Sequence, residues 1–208
     1  MQLYGFGESG NAYKVALALR AMGIEHTLRP VDFFAGETRT PEYRALNPMG
    51  EVPVLVDGDT TLSQSGVILD YLSSKTGQFG GRSATERREV LRWMFWDNHK
   101  FTGQIANRRF LANFLPEPKQ PKEVIGFLDG RIKAASHVLE AHLTGRDWVA
   151  SEVPTIADLS LCGYLFYPEA KGIDRADWPA IDAWLARIEA LPGWAHPYEV
   201  MPRAFPGA

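Results

Sequence analysis

Residues 47–72 read NPMGEVPVLVDGDTTLSQSGVILDYL, and the order of signals in this stretch decides the fold class. Val52–Val56 and Thr60–Leu62 are short runs rich in β-branched and apolar residues, joined by Asp57-Gly58-Asp59, the composition of a tight hairpin turn. An antiparallel pair is predicted. A helix then starts near Ser65, with Val67, Ile68, Tyr71 and Leu72 as its expected inward face.

Upstream, Gln2–Phe6 is a short apolar and aromatic run, and Gly7-Glu8-Ser9-Gly10 supplies a turn. From Asn11, apolar residues recur at Ala12, Val15, Ala16, Leu19 and Met22, the spacing of one buried helical face, and Gly23 supplies a stop. His26–Val31 then reads as a second strand. Strand, helix, strand is the unit that makes a parallel pair. A polar loop and a short segment at Pro41–Leu46 lead into the hairpin.

Downstream, residues 78–83 (QFGGRS) are rich in glycine and lack apolar periodicity, so the domain linker is placed there. Everything beyond reads as helical. A long aromatic-rich helix is expected over Thr85–Phe114, with three prolines in Leu115–Pro121 ending it. The next helix, Pro121–Leu143, would bury Val124, Leu128, Ile132, Ala135 and Leu139. Thr155-Ile156-Ala157-Asp158 has the form of a capping box, and the helix behind it, through about Tyr167, is apolar nearly all round. A last helix from about Pro179 presents Ile181, Trp184, Leu185, Ile188 and Leu191, and ends at Pro192-Gly193. The expected organisation is therefore a mixed α/β domain over residues 1–77 and an all-α domain over residues 84–208.

Composition narrows the functional classes. With 45% hydrophobic residues in 208, the chain has enough apolar surface for packed cores. Lys and Arg number 22 against 25 Asp and Glu, with no long run of either sign, which argues against nucleic acid as a partner. No window approaches 18 uninterrupted apolar residues, and MQLYGFGESG has none of the layout of a secretory signal, so no membrane partner is expected and a cytoplasmic location is the default. Cys162 is the single cysteine. It can form neither an internal disulfide nor a Cys-x-x-Cys pair, so any thiol chemistry must use a borrowed thiol.

Four motifs in order carry a resemblance: Leu3-Tyr4; Ser9-Gly10-Asn11-Ala12-Tyr13-Lys14-Val15; Asn47-Pro48-x-Gly50-x-Val52-Pro53-Val54-Leu55; and Gln64-Ser65-x-x-Ile68-x-x-Tyr71-Leu72. They resemble the N-terminal domain of the glutathione S-transferase superfamily, in which that domain is thioredoxin-like. Pro154–Asp158, Trp184-Leu185 and Leu191–Trp194 are similar to the capped core helix and terminal helix of the family's all-α domain. The likeness spans nearly the whole chain and implies the glutathione transferase fold.

The resemblance also implies a site for glutathione as co-substrate, with no metal. A free thiol has a pKa near 8.5, and only its thiolate is a strong nucleophile, so a donor must face the sulfur. Ser9, in the turn before the first helix, is the implied donor, with Asn11 as a second; both residue types are equally at home as helix caps. Bacterial relatives with Thr and Asn at these two places favour disulfide reduction, so Asn11 leaves the reaction open. Ala12 stands where the motif often has Cys or Ser, which removes any cysteine-based mechanism from this domain.

For the rest of the tripeptide, the resemblance implies a cis bond before Pro53, with Val52 offering its backbone N–H and C=O like a neighbouring strand. Ser65, at a helix start, would seat the γ-glutamyl carboxylate with its hydroxyl and N–H, although a plain N-cap fits the same residue. Gln64 replaces the acid of many relatives. Glu51 replaces a basic or neutral residue and would lie near an anionic ligand. Arg39 is a weaker candidate counter-charge for the glycyl carboxylate.

A second, small hydrophobic and electrophilic substrate would meet residues of Trp93–Phe101, with Tyr164 and Tyr167 as further candidates; His99 is set aside as a base, and Cys162 as a small buried hydrophobe. The implied activity is glutathione transfer, a detoxification reaction, carried out by a homodimer. The alternatives are a glutathione-dependent disulfide reductase or peroxidase, and a non-catalytic binding module of the same fold.

Overall fold

The computed structural model describes residues 1–206 and divides into two compact units. One comprises Met1–Gln78 together with the C-terminal segment from Leu191, and the other Phe79–Ala190.

The first unit is built on strands β1 (Gln2–Gly5), β2 (Thr27–Pro30), β3 (Val54–Asp57) and β4 (Thr60–Ser63), in the spatial order β2-β1-β3-β4. β1 and β2 are parallel, as a strand-helix-strand unit requires, while β3 runs antiparallel to both β1 and β4. The hairpin turn is tight because Asp57 pairs with Thr60, leaving Gly58-Asp59 as the two central residues. Gly58 has φ +60°, at the position a type II′ turn reserves for glycine. Helix α1 (Gly10–Ala21) is buried along almost its whole length, from Ala12 to Leu19, and packs against α3 (Ser65–Thr76); a short α2 (Pro41–Leu46) precedes β3.

The inward face of α3 is Ser65, Ile68, Leu69, Leu72 and Ser73, not the expected set. Val67 is 54% exposed and Leu69 is fully buried. Tyr71 is half-buried, and its hydroxyl donates to Asp57 Oδ2 at 2.7 Å, tying α3 to the hairpin turn; Lys75 completes the group. Those two donors hold the Asp57 carboxyl below the usual range.

The second unit is helical: α4 (Ala84–Lys100), α5 (Thr102–Asn113), α6 (Lys122–Leu143), α7 (Ile156–Leu161) and α8 (Pro179–Glu189). The single helix expected over Thr85–Phe114 is two, broken at Phe101 with φ −117° and ψ −83°. Buried Asp97 stabilises the break. Its Oδ1 accepts from Thr102 N at 3.3 Å, serving a free donor at the start of α5, while its Oδ2 accepts from Ser160 Oγ at 2.6 Å. On α6 the buried face runs Leu128, Ile132, Ala135, Ser136, Leu139 and Leu143, and Val124 lies outside it, 47% exposed.

The capping box forms and is larger than its four residues. Asp158 Oδ2 accepts from Thr155 N at 2.8 Å and from Thr155 Oγ1 at 3.0 Å. Its Oδ1 accepts from Val149 N at 2.9 Å and from Trp184 Nε1 at 3.0 Å, so one carboxylate joins a loop, a helix start and α8. The α-helix behind the box ends at Leu161, short of the expected Tyr167. Residues 155–167 are nonetheless buried throughout, and Gly163 N to Ser160 O (3.2 Å) and Leu165 N to Cys162 O (2.9 Å) continue the chain in tighter turns.

The C-terminal segment, including α9 (Pro197–Val200), was expected within the helical domain, but it packs with the first unit. Arg20 Nε donates to Gly193 O at 2.7 Å and Tyr13 Oη to Ala195 O at 2.9 Å, anchoring the segment along α1. Among the described residues no helix is long and apolar enough to cross a membrane.

Candidate functional site

The sheet register gathers the sequence-predicted residues at one edge. Tyr4 pairs with Val54, and Val54 with Ser63, so these three form one row. The loop after β1, the segment before β3 and the segment after β4 therefore all leave the sheet on the same side. They carry Ser9 and Asn11, Val52 and Pro53, and Gln64 and Ser65 respectively.

Ser9 is the N-cap of α1, in extended conformation (φ −86°, ψ 104°), and its Oγ accepts from Ala12 N at 3.2 Å. The cap and donor readings of this residue are compatible. Capping uses a lone pair of the oxygen, which leaves the hydroxyl proton free to donate. Asn11 is half-buried in the first turn, where the N–H groups of a helix begin are unpaired within the helix and the dipole favours negative charge.

The Val52–Pro53 peptide is cis, the form the resemblance implied. The paired register of β3 begins at Val54, so the backbone of Val52 lies beyond the ladder. Residues behind it hold the loop: Tyr43 Oη and Asn47 Nδ2 both donate to Glu51 O, at 3.0 and 2.8 Å. Burial, followed by the nearby Glu37 and Tyr4, pushes the Tyr43 phenol far above its ordinary range, so it remains a donor. Sequence reasoning missed this support; an apolar-looking Tyr43 on a six-residue helix gave no sign of it.

Gln64 sits at φ +68° and ψ 114°, a conformation that non-glycine residues rarely adopt and that carries backbone strain of about 1–3 kcal/mol. Its amide Nε2 donates to Glu51 Oε2 and to Met49 Sδ, both at 3.1 Å, so the structure brings Gln64 and Glu51 together and adds Met49. Because that side chain points to the loop, it makes no capping bond to α3. The next residue, Ser65, is 5% exposed and opens the helix. The first N–H groups of α3 thus lie beside a buried hydroxyl, an arrangement suited to a carboxylate. Arg39 is exposed at the end of a short 3-10 turn, Glu37–Arg39.

Comparison with known proteins identifies the family. The family model for the N-terminal domain of glutathione S-transferase matches residues 1–74, and that for its C-terminal domain residues 105–192. Glutathione S-transferase 1 of Dianthus caryophyllus is 30% identical over 192 residues, covering 89% of this chain and 87% of that one. The chain belongs to the glutathione S-transferase superfamily.

Two further superfamily members bear on the chemistry. The disulfide-bond oxidoreductase YfcG of Escherichia coli K12 is 28% identical, over 90% of this chain and 89% of its own length. A glutathione transferase family member from Pseudomonas fluorescens Pf-5, solved with two glutathione molecules bound, superposes with a TM-score of 0.83 at 26% identity, covering 92% of this chain and 89% of that one. As a transferase-fold chain, the protein has a thioredoxin-like first unit. Among the described residues no group of three or more His, Cys, Asp and Glu side chains is placed to hold a metal ion.

Proposed function

We propose that this superfamily member is a glutathione transferase that docks glutathione at the common edge of β1, β3 and β4 and activates its thiol for attack on a small, hydrophobic electrophile. The single observation that carries the reading is the register row Tyr4, Val54 and Ser63, from whose edge the three candidate segments depart. Val52 offers backbone N–H and C=O to the cysteinyl part, and Ser65 with the start of α3 receives the γ-glutamyl carboxylate. Gln64 and Glu51 border that end.

Ser9 donates its hydroxyl proton as a hydrogen bond to the sulfur, assisted by Asn11 and the N-terminus of α1. One such bond together with a helix N-terminus supplies stabilisation of the order of a pKa unit or more, about 1.4 kcal/mol per unit. The thiolate then attacks an electrophilic carbon. A carbon–sulfur bond forms as the carbon–leaving-group bond breaks, and the leaving group departs with the bonding electrons. Detoxification in the cytoplasm by a homodimer is the setting we propose.

A second reading is favoured by the likeness to YfcG and by the Pseudomonas relative's two bound glutathiones. Here the same thiolate attacks a disulfide sulfur, releasing one thiolate and leaving a mixed disulfide, and a second glutathione resolves it as oxidised glutathione. Cys162 takes no part, being buried in the second unit.

One experiment tests both. Glutathione-dependent turnover is measured with aryl halides, disulfides and peroxides for the wild type, Ser9→Ala and Asn11→Ala. We expect Ser9→Ala to lower kcat more than glutathione affinity. Unchanged turnover in that variant removes Ser9 from the mechanism, and turnover confined to disulfides selects the second reading.

A further inference from the structure

We infer that the C-terminal segment is a clasp that neutralises and fixes the loop carrying Ser9, with Glu8 and Arg203 as positioning residues for thiol activation. The inference rests on the glutathione reading above.

Glu8 immediately precedes Ser9, yet its side chain is only 1% exposed. A carboxylate at that depth is tolerable only if it is paired and hydrogen-bonded. Three hydrogen bonds to it come from the tail. Glu8 Oε1 accepts from Arg203 Nε at 3.1 Å and from Phe205 N at 3.3 Å, and Oε2 accepts from Ala204 N at 2.9 Å. The backbone is joined as well, because Gly7 N donates to Pro202 O at 2.7 Å. A Cβ at position 7 would stand 2.9 Å from Met201 O and 3.0 Å from Pro202 O, so only glycine allows this approach.

The tail is held in turn by rings. The Arg203 guanidinium lies 4.3 Å from the Tyr198 ring centre, and Phe205 meets Phe34 at 5.0 Å, which meets Phe6 at 6.0 Å. The tail therefore holds Glu8 directly and reaches Phe6 through Phe34, both on the chain leading into the Ser9 cap.

The charge matters more than the grip. A carboxylate one residue from the thiol-activating hydroxyl opposes formation of a second anion, the thiolate, by like-charge repulsion. Arg203 offsets it. The other charged or titratable groups on the elements meeting here are Tyr198 on α9, Lys14 buried in α1, and Asp32 and Glu37 on the loop bearing Phe33 and Phe34. From the tail, Arg203 directs its guanidinium at the Glu8 carboxylate at 3.1 Å.

The test uses full-length wild type, Arg203→Ala, Arg203→Lys, Glu8→Gln and the Arg203→Ala/Glu8→Gln double variant. For each, the acid limb of the pH profile of turnover with an aryl halide is recorded, with the ultraviolet absorbance of the bound thiolate and a thermal melt. We expect Arg203→Ala to move the limb and the thiolate titration up by roughly half a pH unit to one unit. Arg203→Lys keeps both near the wild-type position, and the double variant returns to it because the Glu8 charge has gone. A purely structural tail would change the melt or kcat without this pattern.

Coincident limbs for Arg203→Ala and wild type overturn the clasp, as does a shift that persists in the double variant. In either case wild-type turnover leaves the glutathione reading intact. Wild-type protein that neither takes up glutathione nor turns over removes that reading first, and the clasp with it.

Discussion

The Gln64 amide donates to the Glu51 carboxylate at 3.1 Å, joining the end of β4 to the loop before the cis-proline. Both residues are exposed, so the charge of Glu51 is screened and its repulsion of an anionic tripeptide is modest. Glu51→Gln is expected to tighten glutathione binding by about two- to fivefold at low ionic strength, with the gain shrinking in added salt. Calorimetry at two salt concentrations checks this. Equal or weaker binding by the variant would mean that Glu51 serves to orient Gln64.

Ser65 and Ser9 both stand at helix starts, and their proposed roles separate kinetically. A hydroxyl that binds the carboxylate contributes equally before and during reaction, whereas one that binds the sulfur contributes as charge develops. Ser65→Ala is therefore expected to raise the KM for glutathione by roughly tenfold, the scale of a hydrogen bond to a charged group, with kcat little changed. Steady-state kinetics with varied glutathione measures the split. A fall in kcat with KM unmoved would reassign Ser65.

Those residues were legible because their signals are local. A turn of Gly7–Gly10 before an i, i+3, i+4 pattern, and a Pro53 opening an apolar run, are written in adjacent letters. The misplacements arose where the pattern is degenerate or the partner is remote. Residues 67, 68, 69, 71 and 72 are all apolar or aromatic, so periodicity could not choose Leu69 over Val67 for the inner face of α3. The break at Phe101 depends on Asp97 reaching Thr102 and Ser160, and no proline marks it. Glu8 accepts hydrogen bonds from residues almost 200 positions away, on a tail whose own sequence resembles a helix end. The left-handed φ of Gln64 has no sequence sign at all.

Asp158 accepts from three different segments, and removing it strands buried donors in each. The indole of Trp184, wholly buried, loses its acceptor, as do Val149 N and Thr155 N. Asp158→Ala is expected to destabilise the second unit by about 3–5 kcal/mol, given roughly 1–3 kcal/mol for each stranded buried group and incomplete additivity. Asp158→Asn keeps one acceptor oxygen but turns an amide N–H₂ toward donors, so it is expected to lie between the two. Denaturant unfolding with the slope held constant measures the ranking. A loss of less than about 1 kcal/mol in the alanine variant would show that water replaces the carboxylate.

His142 sets a pH dependence of opposite origin to that of an ion-paired carboxylate. Its Nε2 lies 2.7 Å from Val149 O and its ring centre 4.3 Å from that of Trp93. Burial holds its pKa below the ordinary histidine value, with the Val149 hydrogen bond opposing and Arg146 and Arg92 adding to the depression. The unfolded chain therefore binds the proton more readily than the folded one in the window below about pH 6.5. Stability from this group is complete above that value, declines as pH falls through the window, and levels off once the folded imidazole is also protonated. Thermal melts between about pH 7 and pH 5 are expected to show a decline that is shallower in His142→Gln, where the side chain retains a donor for Val149 O but cannot titrate. Identical slopes in the two proteins would remove His142 as the source of the decline.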